Sequence, residues 1–563
     1  MSLPEINLGA LGQTVEDTLD RILEEKIIAR IWQRDHTVWK PESNEISNRL
    51  GWLDSPLAMS ARLDEIGNVV DAVRTAGYTD ALLLGMGGSS LAPEVFSRTF
   101  GARKGYLNLS VLDSTDPDAV RQQAERLDPA RTLFIAATKS GGTIETMSLL
   151  KFFYNRTCET VGVDEAGAHF AAITDPGSGL AELAQALNFR HVFLNDPNIG
   201  GRYSALSFFG LVAAGSIGLD LDGLLERARS MAAACARSRR NPGALLGTIL
   251  GASALAGRDK LTLVSSPPIA AFGAWVEQLI AESTGKEGKG ILPVDNEPLA
   301  PPSAYAGDRI FVYLRLRGDA SLDRSIQALI EAGHPVVQLN LYDLEDLGGE
   351  FFRWEIATTV AAYCLAVNPF DQPNVEAAKV LAHTMVEAYR TQNHLPHREP
   401  TFQSAAITVF GEAPVPSLKA AIDALLARAH SGGGRSYIAL QAYLKPAART
   451  DRALNDLRLL LRSQTRMATT LGYGPRFLHS TGQLHKGDAG RGLFIQFTSD
   501  ASADLAIPDQ PGESASAISF GILKSAQALG DHQALLDSKR PLLRIHLGTD
   551  VLAGLEHVRQ ALS

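Results

Sequence analysis

The chain is poor in the groups that mark several function classes. Three cysteines, Cys158, Cys235 and Cys364, are spread over 563 residues. They form no CxxC or Cys/His spacing that would hold zinc, and an odd, sparse set implies no disulfide framework, which fits a reducing cytosol. Basic residues are short too: 53 Lys and Arg stand against 62 Asp and Glu, a formal net charge of −9. Nucleic-acid binders need a basic footprint, so that class is disfavoured, and an anionic ligand would have to be held by local donors. Long apolar runs are also lacking. The stretch from Phe208 to Leu219 is broken by glycines and Ser216 and is too short for a bilayer, so it reads as a buried helix. The first residues, MSLPEINLGALGQ, show neither the basic start nor the apolar core of a signal peptide. The expected location is the cytoplasm.

What is present is a soluble composition, 45% hydrophobic and 20% charged, in a length that predicts more than one core. Residues 1–60 read as a helical segment. Short apolar strands then alternate with helical stretches. Ala81 to Leu84, Leu107 to Leu112, Thr132 to Ala137, Phe170 to Ile173 and His191 to Leu194 form one series; Leu261 to Val264, Arg309 to Leu314 and Val336 to Leu339 form a second. Such alternation predicts βαβ units and parallel sheets, hence an α/β fold with doubly wound halves at 61–220 and 221–380. Beyond 380 the candidate strands Ala406 to Phe410, Ser436 to Leu440, Leu493 to Phe497 and Leu542 to Ile545 suggest a third α/β unit, 381–563. Gly432-Gly433-Gly434 and the Ala/Pro/Ser/Gly-rich Asp500 to Ser516 read as loops.

Five segments carry chemistry. Gly85-Met86-Gly87-Gly88-Ser89-Ser90 sits between a strand and a helix, where glycines let a ligand approach the backbone and free N–H groups attract an anion. A dinucleotide turn is one alternative, with Asp113 as the ribose acid, although Ser90 replaces the third glycine; a plain tight turn is another. Thr138-Lys139-Ser140-Gly141-Gly142-Thr143-Ile144-Glu145-Thr146 packs hydroxyls, an ammonium and two glycines ahead of a helix. That inventory suits a phosphate monoester, and capping alone would use one or two of the groups. A GxxxxGK[ST] loop is missing. Gly200-Gly201-Arg202-Tyr203-Ser204 can deliver a guanidinium to a crevice, or a structural ion pair. Glu282, in Glu282-Ser283-Thr284-Gly285-Lys286 after the helical stretch Trp275 to Ala281, is a candidate general base or a surface glutamate. Glu277, five residues earlier, is assigned to the solvated side. Asn368-Pro369-Phe370-Asp371-Gln372-Pro373 makes an ordered turn, with Lys379 two turns into the next helix as a ligand-facing or merely solvated lysine.

In this order the five motifs resemble those of the glucose-6-phosphate isomerase family: GxGGS, an SKT-like loop, GGRxS, ESxGK and NPFDQPxVExxK. The likeness covers roughly residues 80–380. Arg30-Ile31-Trp32-Gln33-Arg34-Asp35 and the tail look more like the isomerase half of bifunctional transaldolase/glucose-6-phosphate isomerase proteins. The resemblance implies two sugar-isomerase (SIS) domains, a homodimer with composite sites, a sugar phosphate substrate, and aldose–ketose isomerisation without cofactor or metal. It implies Glu282 as the base, Arg202 as the enediolate partner, and Ser89, Lys139, Ser140, Thr143 and Thr146 as phosphate ligands. Gly87 and Gly88 would allow close approach, with Gln372 and Lys379 on the sugar side. Transaldolase activity is not expected from this chain, though a separate transaldolase could partner it; a silent sugar-phosphate-binding regulator is the competing reading. Two departures stand out. Gly141-Gly142 replaces Phe-Thr of many members, and no GQHxxxQ-like segment carrying the ring-opening histidine lies in 290–367, where His334 reads as a turn residue. The substitute is sought in His479-Ser480-Thr481-Gly482-Gln483-Leu484-His485-Lys486-Gly487, with His485 as the candidate.

Overall fold

A computed structural model of the chain describes residues 3–396, 398–429 and 435–562, the side chains of 377–379 excepted. The Gly432-Gly433-Gly434 segment lies outside the described residues. Three open sheets form the frame. The first runs Asn108–Leu112, Asp80–Gly85, Thr132–Ala137, Phe170–Thr174, His191–Leu194, all parallel. These strands are near-continuous apolar runs because helices cover both faces. The order reverses between Asp80–Gly85 and Thr132–Ala137. At such a switch point the two flanking loops diverge and leave a crevice beyond the strands' carboxyl ends.

The second sheet places Val336–Leu341, Arg309–Leu316, Lys260–Ser265 and Leu292–Val294 side by side in parallel. Its outer edge is closed by Glu5–Asn7, antiparallel to Val336–Leu341. So the N-terminal segment, expected to be helical, begins with an edge strand: an isolated Ile6 between polar residues has no apolar pattern, and it is the open sheet edge that recruits it. The third sheet sets Leu542–His546, Gly492–Thr498, Tyr437–Tyr443 and Ala468–Tyr473 in parallel, with a small antiparallel hairpin, Phe402–Gln403 and Thr408–Phe410, on its edge. The parallel strands of this sheet and of the second share one spatial order, the fourth, third, first and second in sequence. The third unit is therefore doubly wound in the same sense.

The units share cores. Helices Pro242–Leu255 and Leu347–Leu365 are buried on nearly every side and pack on the N-terminal helices through Trp32, Trp39 and Trp52. Phe520 and Leu523 of the helix Phe520–Asp537 enter the apolar cluster of Leu82, Phe134 and Phe153 beneath the first sheet. Tyr437 and Phe494 pack with Leu292 and Val294 of the second. The segment read as an open loop, Asp500 to Ser516, contributes Ala506–Ile507 to a two-stranded ribbon with Ile518–Ser519. Among the described residues no helix is long and apolar enough to cross a membrane; Phe208–Ser216 is a wholly buried helix.

Candidate active site

The loops at the first sheet's switch point open into a cavity of about 980 Å³. One wall is the glycine turn after Asp80–Gly85, another the Thr138–Thr143 loop after Thr132–Ala137. Opposite stand Gly200-Gly201-Arg202, Gln278 and Glu282 of the helix Phe272–Thr284, and Phe370 and Gln372. His479, Leu523 and Gln527 of the third unit complete it.

The glycine turn is a three-way junction. Gly87 has φ +55°, a left-handed value, and a Cβ there would stand 2.8 Å from Gln278 Nε2 and 2.9 Å from the His479 carbonyl oxygen. A Cβ on Gly88 would stand 1.9 Å from the Gly201 carbonyl oxygen. Three chain segments thus meet at backbone distance, which only residues without side chains permit. Ser90, in the third glycine position, donates its Oγ–H to the Gly87 carbonyl at 3.1 Å and closes the turn.

The Thr138–Thr143 loop leads into the 18-residue helix Ile144–Val161. The N–H groups of its first turn lack intrahelical partners, and such a helix start favours an anion. Thr138 and Thr143 share a hydroxyl–hydroxyl bond of 2.8 Å. Lys139 Nζ donates to Asp175 Oδ2 and to the Pro197 carbonyl, the latter at 2.7 Å. Burial raises the Asp175 pKa, and the Lys139 ammonium opposes that. Ser89, Lys139, Ser140 and Thr143 line the cavity. Thr146 does not: it lies a helical turn below the rim and is fully buried.

At the other end Arg202 is 3% exposed and held from several directions. Nε donates to Ser283 Oγ at 2.8 Å, Nη1 to Gln372 Oε1 at 3.0 Å, and Nη2 to the carbonyls of Pro369 at 2.6 Å and Asp371 at 3.0 Å. The Asn368-Pro369 turn aims those carbonyls inward. Arg202 Nη1 stands 3.2 Å from Glu282 Oε1, and Gln278 Nε2 donates to Glu282 Oε2 at 3.1 Å. The Gln278–Glu282 spacing of four puts both on one helix face. Lys286 is buried and bound to the Asn368 and Asp371 carbonyls and to Asp371 Oδ1 at 2.7, 2.5 and 2.7 Å. Burial, then the Arg202 charge, hold its pKa down at about 8. Lys286 therefore staples the turn that carries Gln372.

Two expectations are corrected here. Glu277 is half-buried rather than on an open face: it lies within electrostatic reach of Asp295, Arg458 and Arg476, and burial with the Asp295 charge pushes its carboxyl up to about 8. His485 does not reach the cavity. Its ring is buried among Tyr437, Phe477 and Phe494, at centroid distances of 6.4, 6.1 and 5.0 Å. Burial, Lys486 and Arg540 hold its pKa well below the usual histidine range. Two histidines line the cavity, His383 on the helix Val375–Gln392 and His479, whose Nε2 stands 3.0 Å from Glu145 Oε1. Gln527 Nε2 donates to the same oxygen at 2.7 Å, and Thr115 donates to Gln527 Oε1 at 2.7 Å. Lys379 is on the helix Val375–Gln392, but its side chain lies outside the described residues.

A family model for phosphoglucose isomerase matches residues 58–291. The glucose-6-phosphate isomerase of Citrifermentans bemidjiense is 30% identical over 57% of this chain and 68% of its own length. The chain belongs to the glucose-6-phosphate isomerase family. The family's enzyme from Rubrobacter xylanophilus is 29% identical over 56% of this chain and 84% of its own length. Among solved structures, a hypothetical protein of Thermus thermophilus shares the fold with a TM-score of 0.59 at 24% identity, over 68% of this chain and 99% of that one. A glucose-6-phosphate isomerase from Chlamydia trachomatis shares it with a TM-score of 0.57 at 18% identity, over 68% of this chain and 87% of that one.

Within this isomerase-family site, sequence reasoning missed Glu145, Gln278, His479 and Gln527 as cavity residues. Gln278 had a usable signal, its place one turn before Glu282. His479 lay in the loop singled out for a ring-opening histidine, but its two histidines look alike until the loop is folded. Gln527 comes from 382 positions beyond Glu145. Among the described residues no cluster of three or more His, Cys, Asp or Glu side chains could hold a metal.

Proposed function

We propose that this chain interconverts glucose 6-phosphate and fructose 6-phosphate through a cis-enediol. The observation that carries the reading is the Glu282 carboxylate 3.2 Å from the Arg202 guanidinium, facing a helix N-terminus lined with hydroxyls across one cavity. A sugar phosphate bridges the two ends: phosphate on Ser89, Lys139, Ser140 and Thr143, C1 and C2 at Glu282. In this reading His479, oriented by Glu145, opens the ring by passing a proton to the ring oxygen while the C1 hydroxyl gives its proton to water. Glu282 then takes the C2 proton, negative charge grows on the oxygens at C1 and C2, and Arg202 meets it. Return of the proton to C1 gives the ketose. Gln372, fixed by Arg202, and Lys379 belong to the sugar side.

His479 comes from the same chain as Glu282, which supports a site complete in one subunit. The described sheets are open, and the reading includes no transaldolase step. The test is fructose 6-phosphate turnover coupled to glucose-6-phosphate dehydrogenase. Glu282→Gln should abolish turnover, on the order of 10³-fold or more in kcat, and still bind the sugar phosphate. Retained turnover would remove Glu282 from the reaction; a folded wild type that binds without turnover would favour the regulator.

A further inference from the structure

His479 reaches the cavity from the third unit, and something must set its position against the first sheet. Its carbonyl accepts from Gln278 Nε2 at 2.7 Å and sits on Gly87. Those contacts hold one end of the short helical turn Arg476–His479. The other end is Arg476, and its guanidinium grips the first sheet's own elements. One nitrogen bonds the carboxylate of Glu94, on the helix Leu91–Phe100 that follows the glycine turn. Another stands 3.2 Å from Asp113 Oδ2, just past the strand Asn108–Leu112. Glu94 has a second, weaker partner in Arg98 at 3.3 Å, whereas Asp113, its side chain 12% exposed, pairs with Arg476. Arg476 does not line the cavity. Two carboxylates, on two elements of one sheet, thus hold a cation three residues from the histidine. A forked guanidinium can engage both at once, which a point-like ammonium cannot.

We propose that Arg476 is a positioning residue: its bridge to Glu94 and Asp113 sets His479 over the substrate's ring oxygen. The proposal rests on the reading of His479 as the ring-opening group. Its consequence is selective. Displacing His479 slows ring opening, while the acyclic intermediate, held by Glu282, Arg202 and the anion loop, is bound as before.

Two measurements separate these effects. Exchange between the α and β anomers of glucose 6-phosphate, followed by NMR above the uncatalysed rate, requires ring opening and no proton transfer at carbon. The affinity for an acyclic aldonic acid phosphate requires no ring opening. The variants are Arg476→Met, Arg476→Lys, His479→Asn, and the triple Glu94→Gln/Asp113→Asn/Arg476→Met, which removes the two bridged carboxylates together with their cation if the single variant fails to fold. The expected result is a loss of anomer exchange on the order of 10- to 100-fold in Arg476→Met and in the triple, partial recovery in Arg476→Lys, and acyclic ligand affinity within about twofold. Undiminished anomer exchange in the triple, or parallel loss of both properties, overturns the proposal. Undiminished exchange in His479→Asn overturns instead the underlying reading of His479.

Discussion

Glu277 is a residue whose environment inverts its ordinary behaviour. Burial and Asp295 raise its carboxyl from 4.5 to about 8, against the pull of Arg476 and Arg458. Across that window the folded state holds a proton that the unfolded chain has released, so folding stability falls as pH rises from about 5 to about 8. Glu277→Gln removes the titration and keeps the shape. Its Tm should match wild type near pH 5 and exceed it increasingly towards pH 8, by thermal melts across that range; a gap that does not change with pH would contradict the assignment. At Gly88 the constraint is steric. A methyl group there meets the Gly201 carbonyl at 1.9 Å, with backbone on both sides. Gly88→Ala should destabilise the fold by about 1–3 kcal/mol and lower kcat through displacement of Arg202, as read by melts and steady-state kinetics together.

At the scale of elements, the proposed phosphate end is one loop and one helix start. The Thr138–Thr143 hydroxyl pair shapes that loop, and Thr143 is the last residue before the helix Ile144–Val161. In the proposed function the phosphate contacts of this loop hold substrate and transition state alike. Thr143→Ala should therefore raise KM by about 5- to 10-fold with kcat nearly unchanged. A fall in kcat at constant KM would place Thr143 nearer the reacting carbons. Element assignment was legible wherever apolar runs were local: Thr132–Ala137 and His191–Leu194 coincide with their predicted limits. Ala468–Tyr473 was missed because Ala-Thr-Thr-Leu-Gly-Tyr has no apolar run, and Leu292–Val294 because three residues with a central proline carry no period. Both become strands by pairing with a neighbouring strand already in place.

At the scale of the whole molecule, the third unit is not an appendage. Phe520 is fully buried and meets Phe152 edge-on at 5.6 Å inside the first sheet's cluster. Phe520→Ala should cost about 3–5 kcal/mol, and the melting of first and third units, followed by local probes in each, should shift together. Separate shifts would mean independent cores. Because Glu282 and His479 lie on one chain, specific activity should stay constant through a wide dilution series; activity lost in step with dissociation would show a shared site.

The amino-acid sequence by itself determined the α/β class, the three series of strands, the family resemblance and most of the predicted residues that line the cavity. Those depend on local pattern: apolar runs set strands, glycines and hydroxyls mark loops, and Glu282 and Arg202 stand in short motifs. Only the tertiary structure brought His383 and His479 to the cavity, kept Thr146 and His485 out of its lining, and left Glu277 half-buried. Each of these is settled by what packs against the residue from distant parts of the chain. Glu145, His479 and Gln527 meet through two bonds that span 334 and 382 positions. Sheet order and shared cores set such distances, and no local pattern encodes them.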